Sequence, residues 1–285
     1  HFAHSLLQVV NFLNRRDTLP VAQDIPQNSE ENTPLVKRDL TDIIGQQHAK
    51  RALTIAAAGQ HNLLFLGPPG TGKTMLASRL ADLLPEMSDE EAIETASITS
   101  LLFLDEIPEF ERKVLDALRQ PLESGEIIIS RANAKVQFPA RFQLIAAMNP
   151  SPTGHYQGTH NRTSPQQVIR YLNRLSGPFL DRFDLSIEVP LLPQGALQSG
   201  NENRGETTAQ VRERVLKARE IQFKRAGKIN SQLNTREIER DCVLSRQDAL
   251  FLESALTKLG LSVRAYHRIL KVSRTIADLA SEEQI

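Results

Sequence analysis

The chain carries the stretch Gly67-Pro68-Pro69-Gly70-Thr71-Gly72-Lys73-Thr74, which fits the pattern G-x-x-x-x-G-K-[ST] of a phosphate-binding loop. The apolar run Leu63-Leu64-Phe65-Leu66 precedes it, and residues 74–84 follow with helical periodicity. The motif therefore lies between a predicted strand and a predicted helix. Glycines let the backbone approach a polyphosphate closely, and the N–H groups of the loop and of the helix N-terminus attract anions. These features predict a nucleoside triphosphate site; the alternative interpretation is a glycine turn ahead of a buried helix.

Two side chains of the loop have expected roles toward ATP and Mg²⁺. Lys73 should reach the β- and γ-phosphates, and Thr74 should offer its hydroxyl to Mg²⁺. We count the next residue, Met75, among the nucleotide-binding positions as well. The sequence contains no N-K-x-D motif for guanine recognition, which favours ATP over GTP.

A second motif, Leu101-Leu102-Phe103-Leu104-Asp105-Glu106, predicts a buried parallel strand that ends in two carboxylates. Ligands of open α/β sheets bind at the carboxyl ends of the strands. We expect Asp105 to hold Mg²⁺, through water, and Glu106 to orient or deprotonate the attacking water. The alternative is that two exposed acids merely end a strand.

Composition sets broad limits on the class of protein. A length of 285 residues favours two domains, and 40% hydrophobic with 24% charged residues is ordinary for a globular protein. No apolar run approaches the roughly 18 residues of a membrane span, and Cys242 is the only cysteine, so a cytoplasmic location without disulfides is expected. Basic and acidic residues both number 34, so a polyanionic partner would need a local patch. The chain begins with His1, which is compatible with a piece of a longer protein.

Periodicity predicts further elements along the chain. They are helices over 1–20, 47–59, 109–123 and 166–175, strands over 142–148 and 184–189, and a β-hairpin of 126–130 and 135–138 around a turn at 131–134. The apolar face predicted for helix 109–123 consists of Phe110, Val114, Leu115, Leu118 and Leu122. Ser245 and Ser262 are expected N-caps.

The junction between Ser100 and Leu101 is physically implausible as it stands. Residues 92–99 have the pattern of a strand, yet the strand that ends in acids begins at Leu101. Parallel neighbours in one sheet need a crossover of about a dozen residues. We therefore predict that the natural protein has additional residues between Ser100 and Leu101.

In their order, these motifs resemble those of an AAA+ ATPase of the magnesium-chelatase-subunit-like branch. The order is GPPGTGKT, LLFLDE, LIAAMN, FLDRFD and SVRAYHRIL, and the resemblance covers about 38–285. It implies an α/β fold with a five-stranded parallel phosphate-loop sheet flanked by helices, followed by a small all-α lid domain. The implied division is an N-terminal helix and linker left from an upstream domain (1–37), the nucleotide-binding domain (38–192), a linker (193–205) and the lid (206–285).

The resemblance also implies roles for three polar residues. Asn149, after the strand 142–148, would hold the attacking water together with Glu106. Arg182 would enter the active site of the neighbouring subunit, and Arg264 would contact nucleotide from the lid, in its own subunit or in the neighbour's. Taken one at a time, each of the three is more readily a structural ion pair or cap; their order and the surrounding motifs favour the catalytic roles.

The sequence resembles one group within this branch more narrowly, and this resemblance implies what the hydrolysis drives. The implied protein is a homo-hexameric DNA motor with helicase or branch-migration activity, which acts on branched or single-stranded DNA during natural transformation and recombination. The residues expected to touch DNA are Arg131 and Lys135 of the hairpin, whose alternative role is that of ordinary turn residues. Two rival functions stay open. One is a protein-remodelling or magnesium-chelatase-like ATPase without DNA, and the other is a non-hydrolysing switch, against which Glu106 argues.

Overall fold

The computed structural model describes residues 38–85, 101–131, 134–154, 163–193, 195–196 and 205–285. The chain divides into two compact units, His1–Arg38 and Asp39–Ile285, and every element described below belongs to the second. The predicted N-terminal helix and linker at 1–37 lie outside the described residues. The predicted strand at 92–99 and Ser100 lie outside them as well.

Six strands and ten α-helices occur in these described ranges. The strands are Leu63–Leu66 (β1), Leu101–Leu104 (β2), Glu126–Arg131 (β3), Ala134–Pro139 (β4), Gln143–Met148 (β5) and Leu185–Glu188 (β6). The helices are Gln47–Gly59 (α1), Lys73–Leu83 (α2), Arg112–Ala117 (α3), Arg119–Ser124 (α4), Pro165–Leu172 (α5), Gly177–Leu180 (α6), Thr208–Ala226 (α7), Thr235–Asp241 (α8), Arg246–Leu259 (α9) and Val263–Ala280 (α10). None of them combines the length and apolar composition that a membrane span requires.

The main sheet is parallel, with strand order β2-β5-β1-β6. Leu63 pairs with Ile145 of β5 on one side and with Leu185 of β6 on the other. Because all four strands are parallel, the loops after β1, β2 and β5 leave the sheet at the same edge, which is formed by the carboxyl-terminal ends of the strands. The predicted α/β class with a flanked parallel sheet is confirmed, and four of its five expected strands lie in the described part of the chain.

Apolar side chains fill both faces of this sheet. Phe65 of β1 packs into a cluster with Leu53 of α1 and Leu80 of α2, and Val215 of α7 belongs to the same cluster. Leu64, one residue away and on the opposite face, packs into a second cluster. A strand buried on both faces reads as a continuous apolar run, which is the pattern that precedes the phosphate loop.

The predicted helix 109–123 is wrong in its continuity. A 3₁₀ turn at Ile107–Glu109 leads into α3, and α4 starts anew after Leu118. Pro121 explains the break, since it lacks an N–H and its ring clashes with the carbonyl four residues back, that of Ala117. The predicted apolar face is also only partly buried. Leu115 is buried and Leu118 and Leu122 are partly so, whereas Phe110 and Val114 are 37% and 50% exposed.

The predicted hairpin is confirmed, but its strands are longer and its turn is shorter than predicted. β3 and β4 pair antiparallel, with Ser130 opposite Lys135 and Arg131 opposite Ala134. Arg131 is therefore the last residue of β3 and not a turn residue. Only 132–133 connect the strands, a length that suits the right-handed twist of a hairpin.

The helices after residue 205 close around a buried polar cluster. Asp278 of α10 accepts hydrogen bonds from Arg225 Nη1 at 2.6 Å, Arg274 Nε at 3.1 Å and Asn230 Nδ2 at 2.8 Å. Ser245 and Ser262 cap α9 and α10 by accepting from the backbone N–H of Asp248 and Ala265, as predicted.

Asp278→Asn should lower the free energy of unfolding by about 3–5 kcal/mol, because it leaves two arginines without their buried counter-charge. Urea denaturation of the whole chain measures this loss. Glu220→Gln is the matched control, since the Glu220–Lys224 pair is exposed, and it should leave the unfolding midpoint unchanged. A loss for Asp278→Asn below about 1 kcal/mol, the scale of a surface pair, would contradict this account.

Candidate active site

The phosphate loop has a backbone shape that depends on glycine. Gly67 donates its N–H to Met148 O at 3.2 Å, which ties the loop to the end of β5. A Cβ at Gly67 would lie 2.2 Å from Val189 O, so no larger residue fits there. Gly72 caps α2 with φ of 89°, a left-handed conformation that glycine adopts without steric cost.

Lys73 is buried where the loop meets β5. Its Nζ donates to Gly67 O at 2.7 Å, to Pro68 O at 2.7 Å and to Asn149 Oδ1 at 3.0 Å. Burial lowers the pKa of Lys73, and the nearby carboxylates of Asp105 and Glu106 oppose this shift by favouring the ammonium. The structure thus brings together the lysine of the loop, the two acids after β2 and the asparagine after β5.

Thr74 and Asp105 face each other across the start of α2. The Thr74 hydroxyl donates to Asp105 Oδ2 at 2.7 Å, and the Glu106 N–H donates to Asp105 Oδ1 at 2.9 Å. Glu106 has φ of 50°; non-glycine residues seldom adopt this left-handed region, and strain of this kind clusters at functional sites.

This pair of oxygens fits Mg²⁺ better than other metals. Mg²⁺ takes one or two protein oxygens and completes its octahedron with water and substrate phosphates. The described residues contain no group of three or more His, Cys, Asp or Glu that could hold a metal alone. Thr74 and Asp105 would hold the ion, which would neutralise phosphate charge when bound.

Two residues near this site were missed from the sequence. Tyr171 of α5 is buried and hydrogen-bonds the backbone of Asn149; burial, then the charges of Glu109 and Glu106, raise the pKa of Tyr171 to about 12. Its place in the apolar spacing of Val168, Tyr171 and Leu175 was the available signal. Gln46, with no sequence signal, donates from Nε2 to Pro190 O at 2.7 Å and so holds the start of α1 against the loop after β6.

Arg182 and Arg264 lie elsewhere, at the opposite edge of the sheet, which is formed by the amino-terminal ends of the strands. The Arg182 carbonyl accepts from Asn62 Nδ2 at 2.9 Å, and Asn62 directly precedes β1. The phosphate loop follows β1, so the length of this four-residue strand, about 13 Å, separates the two places. Both guanidinium groups bind the same carboxylate: Arg182 Nη2 lies 2.6 Å from Glu123 Oε2, and Arg264 Nη2 lies 2.9 Å from Glu123 Oε1.

The two arginines line a cleft of about 730 Å³ between the sheet and α10. It contains four further basic residues and three acids, which are Arg141, Lys228, Arg268, Lys271, Glu123, Asp181 and Asp184. Arg268 Nη1 donates to the carbonyls of Asp181 and Phe183 at 2.6 and 2.7 Å, which joins α10 to the segment between α6 and β6. The sequence-predicted site residues therefore fall into two groups, one at each edge of the sheet. Arg131 and Lys135 belong to neither group, since β3 and β4 form a separate two-stranded sheet.

Comparison with known proteins places the chain in a family. The family described as magnesium chelatase, subunit ChlI, matches residues 39–102 and 100–197, and its C-terminal counterpart matches 205–285. Competence protein ComM of Haemophilus influenzae is 68% identical over all of this chain and 65% of its own length. The proteins named YifB of Salmonella typhimurium and Escherichia coli are 50% and 49% identical over 99% of this chain and 64% of their own lengths. The chain thus spans just under two thirds of the length of these relatives.

The same comparisons bear on the junction before Leu101. The family match falls into two segments that overlap at residues 100–102, next to the junction where the sequence predicts additional residues in the natural protein. The alignment with ComM also runs over 332 residues, more than the 285 of this chain. Residues 39–285 carry the family's two regions, the four-stranded parallel sheet and the phosphate loop described above. The chain belongs to the magnesium chelatase subunit ChlI family, a branch of the AAA+ proteins.

Proposed function

We propose that this chain hydrolyses ATP as part of a homo-hexameric ring that moves on DNA, in branch migration during natural transformation and recombination. The observation that carries the ATPase part is the meeting of Lys73, Thr74, Asp105, Glu106 and Asn149 at one edge of the sheet. The position of the two arginines supports the ring part of the proposal, and the likeness to a competence protein supports the DNA part.

Each residue of this edge has a distinct task in hydrolysis. The backbone of residues 67–72 and Lys73 bind the triphosphate, and Thr74 and Asp105 hold its Mg²⁺. Glu106 orients water for in-line attack on the γ-phosphorus and accepts its proton. The side-chain amide of Asn149 lies beside Lys73 and would help to hold the same water.

The place of Arg182 and Arg264 supports a shared active site. Phosphoryl transfer spreads negative charge that a guanidinium stabilises well. Neither arginine lies at the phosphate loop of its own subunit, so both would serve the nucleotide of a neighbour, Arg264 included. Such head-to-tail contacts between identical subunits generate a ring when the rotation closes.

Contact with DNA is proposed for the β3–β4 hairpin. α4 ends at Ser124 and β3 begins at Glu126, so the hairpin is attached next to the carboxylate that both arginines bind. Arg131 and Lys135 would contribute two charges per subunit to the channel of a six-membered ring. Contacts of this kind bind phosphates without reading sequence.

The domain limits follow from the same proposal. Residues 38–192 would be the nucleotide-binding domain, 193–205 a linker and 206–285 the lid, with 1–37 belonging to an upstream domain. We place the working protein in the cytoplasm, where ATP and incoming DNA are both present.

The DNA part is tested by ATPase rates and DNA affinity, measured with and without branched DNA over a range of salt. We expect DNA to stimulate hydrolysis, and each of Arg131→Ala and Lys135→Ala to reduce the slope of log affinity against log salt by about 1. Lys258→Ala, on the exposed face of α9, is the control and should leave the slope unchanged.

Absence of stimulation at every salt concentration would favour the second candidate, a protein-remodelling or magnesium-chelatase-like ATPase that does not act on DNA. The observation favouring that candidate is the match to magnesium chelatase along the chain. Lys73→Ala should abolish ATP binding in either case, which separates failure of the site from failure of the DNA proposal.

A further inference from the structure

Glu123 holds both arginines of the cleft with one carboxylate. One oxygen lies 2.6 Å from Arg182 Nη2 and the other lies 2.9 Å from Arg264 Nη2. The three residues come from α4, from the segment after α6 and from α10, so this contact joins parts of the chain that are distant in sequence. Nothing in the sequence pattern singles out Glu123, because a glutamate near a helix C-terminus is usually just solvated.

The three side chains differ in how exposed they are. The Glu123 and Arg264 side chains are 54% and 55% exposed, whereas that of Arg182 is only 9% exposed. Within the described residues, Arg182 Nε and Nη1 are buried and lack a hydrogen-bond partner. These two donors would meet a second anion only after a movement of the Arg182 side chain, whereas Nη2 already contacts the exposed Glu123.

A carboxylate and a terminal phosphate present similar oxygens to a guanidinium, and both bind it through parallel N–H···O bonds. The Glu123–Arg264 pair is exposed on both sides, and exposed ion pairs contribute little to stability, so Glu123 gives up this contact at small cost. A phosphate carries more charge than a carboxylate and would compete with it for the same donors.

We propose that Glu123 is the carboxylate that Arg182 and Arg264 exchange for the γ-phosphate of the neighbouring subunit's ATP. The proposal rests on the shared active site proposed above. Glu123 is then a positioning residue: it keeps both guanidinium groups together while the neighbouring site is empty. It also weakens ATP binding at the interface, because its two contacts must break before the arginines reach the phosphate.

The test is Glu123→Gln in the whole chain, with KM and kcat for ATP measured separately. Glutamine keeps the size and one acceptor oxygen but removes the charge that competes with phosphate. We expect KM for ATP to fall about two- to fivefold, within the range set by loss of an exposed ion pair, with kcat nearly unchanged. Glu123→Asp, which keeps the charge, should restore much of the original KM.

Glu126→Gln is the matched control, since Glu126 lies three residues on and its carboxylate contacts Gln137. It should leave KM unchanged. A purely structural role for Glu123 would instead lower the melting temperature and kcat of Glu123→Gln with KM equal or higher, and that result would overturn the exchange.

Arg182→Ala distinguishes failure of the Glu123 exchange from failure of the shared active site. If Arg182→Ala abolishes turnover but Glu123→Gln leaves KM unchanged, the exchange is overturned and the shared site stands. If Arg182→Ala turns over at the wild-type rate, the shared site falls and the exchange falls with it. In an Arg182→Ala, Arg264→Ala background, Glu123→Gln should no longer tighten nucleotide binding.

Discussion

Arg182→Ala should slow ATP hydrolysis by roughly 10³- to 10⁵-fold and leave ATP binding almost unchanged. The guanidinium would stabilise charge that grows during transfer of the γ-phosphoryl group, and its contact with bound ATP only replaces its contact with Glu123, so its loss affects the transition state far more than the bound substrate. Arg182 contacts Asn62, the residue that precedes β1, and so lies away from the residues that bind phosphate in its own subunit. Steady-state ATPase rates and equilibrium binding of a fluorescent ATP analogue measure the two effects.

Arg112→Ala is the matched control for this variant. Arg112 is exposed on α3 and pairs only loosely with Asp116, at 3.6 Å, so its removal should leave turnover unchanged. A comparable loss of activity in Arg112→Ala would indicate a general effect of removing positive charge.

Mixing subunits tests whether Arg182 acts across an interface. Arg182→Ala subunits retain Glu106, and Glu106→Gln subunits retain Arg182, so a mixed ring contains some complete sites. Turnover should therefore reappear on mixing two inactive preparations. Continued inactivity of the mixture, with mixed rings verified by mass, would argue that Arg182 acts within its own subunit.

Glu106→Gln should reduce hydrolysis by about 10²- to 10⁴-fold while ATP stays bound. The amide is the same size as the carboxylate but cannot accept a proton from the attacking water. Its backbone position is held by the hydrogen bond from its N–H to Asp105, so the substitution should not disturb the Mg²⁺ ligand. Single-turnover hydrolysis and recovery of intact ATP with the protein after gel filtration measure the rate and the trapping.

Glu109→Gln serves as the control for Glu106→Gln. Glu109 lies three residues on and pairs with Arg174 at 3.1 Å on the surface. The Glu109→Gln variant should hydrolyse ATP at nearly the wild-type rate. Near-normal turnover in Glu106→Gln itself would transfer the role of base to another group at this edge of the sheet.

Local patterns predicted most of the nucleotide-binding half of the molecule. The predicted strand 63–66 and helix 47–59 coincide with β1 and α1, and the strand that ends in acids corresponds to β2. Such elements are predictable because their apolar runs and glycine signals report burial and turns within a few residues. The α3–α4 break was missed because the helical period was read through Pro121, which ends that period sterically.

The residues of the candidate site likewise divide into those that the sequence predicted and those that it did not. Lys73, Thr74, Asp105 and Glu106 come from motifs whose spacing requires a particular chemistry, and Asn149 came from resemblance to a family. Tyr171 and Glu123 carried no motif. Their partners, Asn149 and the two arginines, are separated from them by between 22 and 141 positions in the sequence.

The sequence alone determined that the chain has a phosphate loop and an acidic strand end, since each depends on neighbours a few positions apart. Only the tertiary structure decided that Arg182 and Arg264 lie together on Glu123, at the edge of the sheet away from Lys73. The physical reason is that α10 packs against α1 and α7 while its Arg268 binds the carbonyls of Asp181 and Phe183, and these contacts set the arrangement. Packing brings together side chains from distant segments, and no local periodicity records their distance.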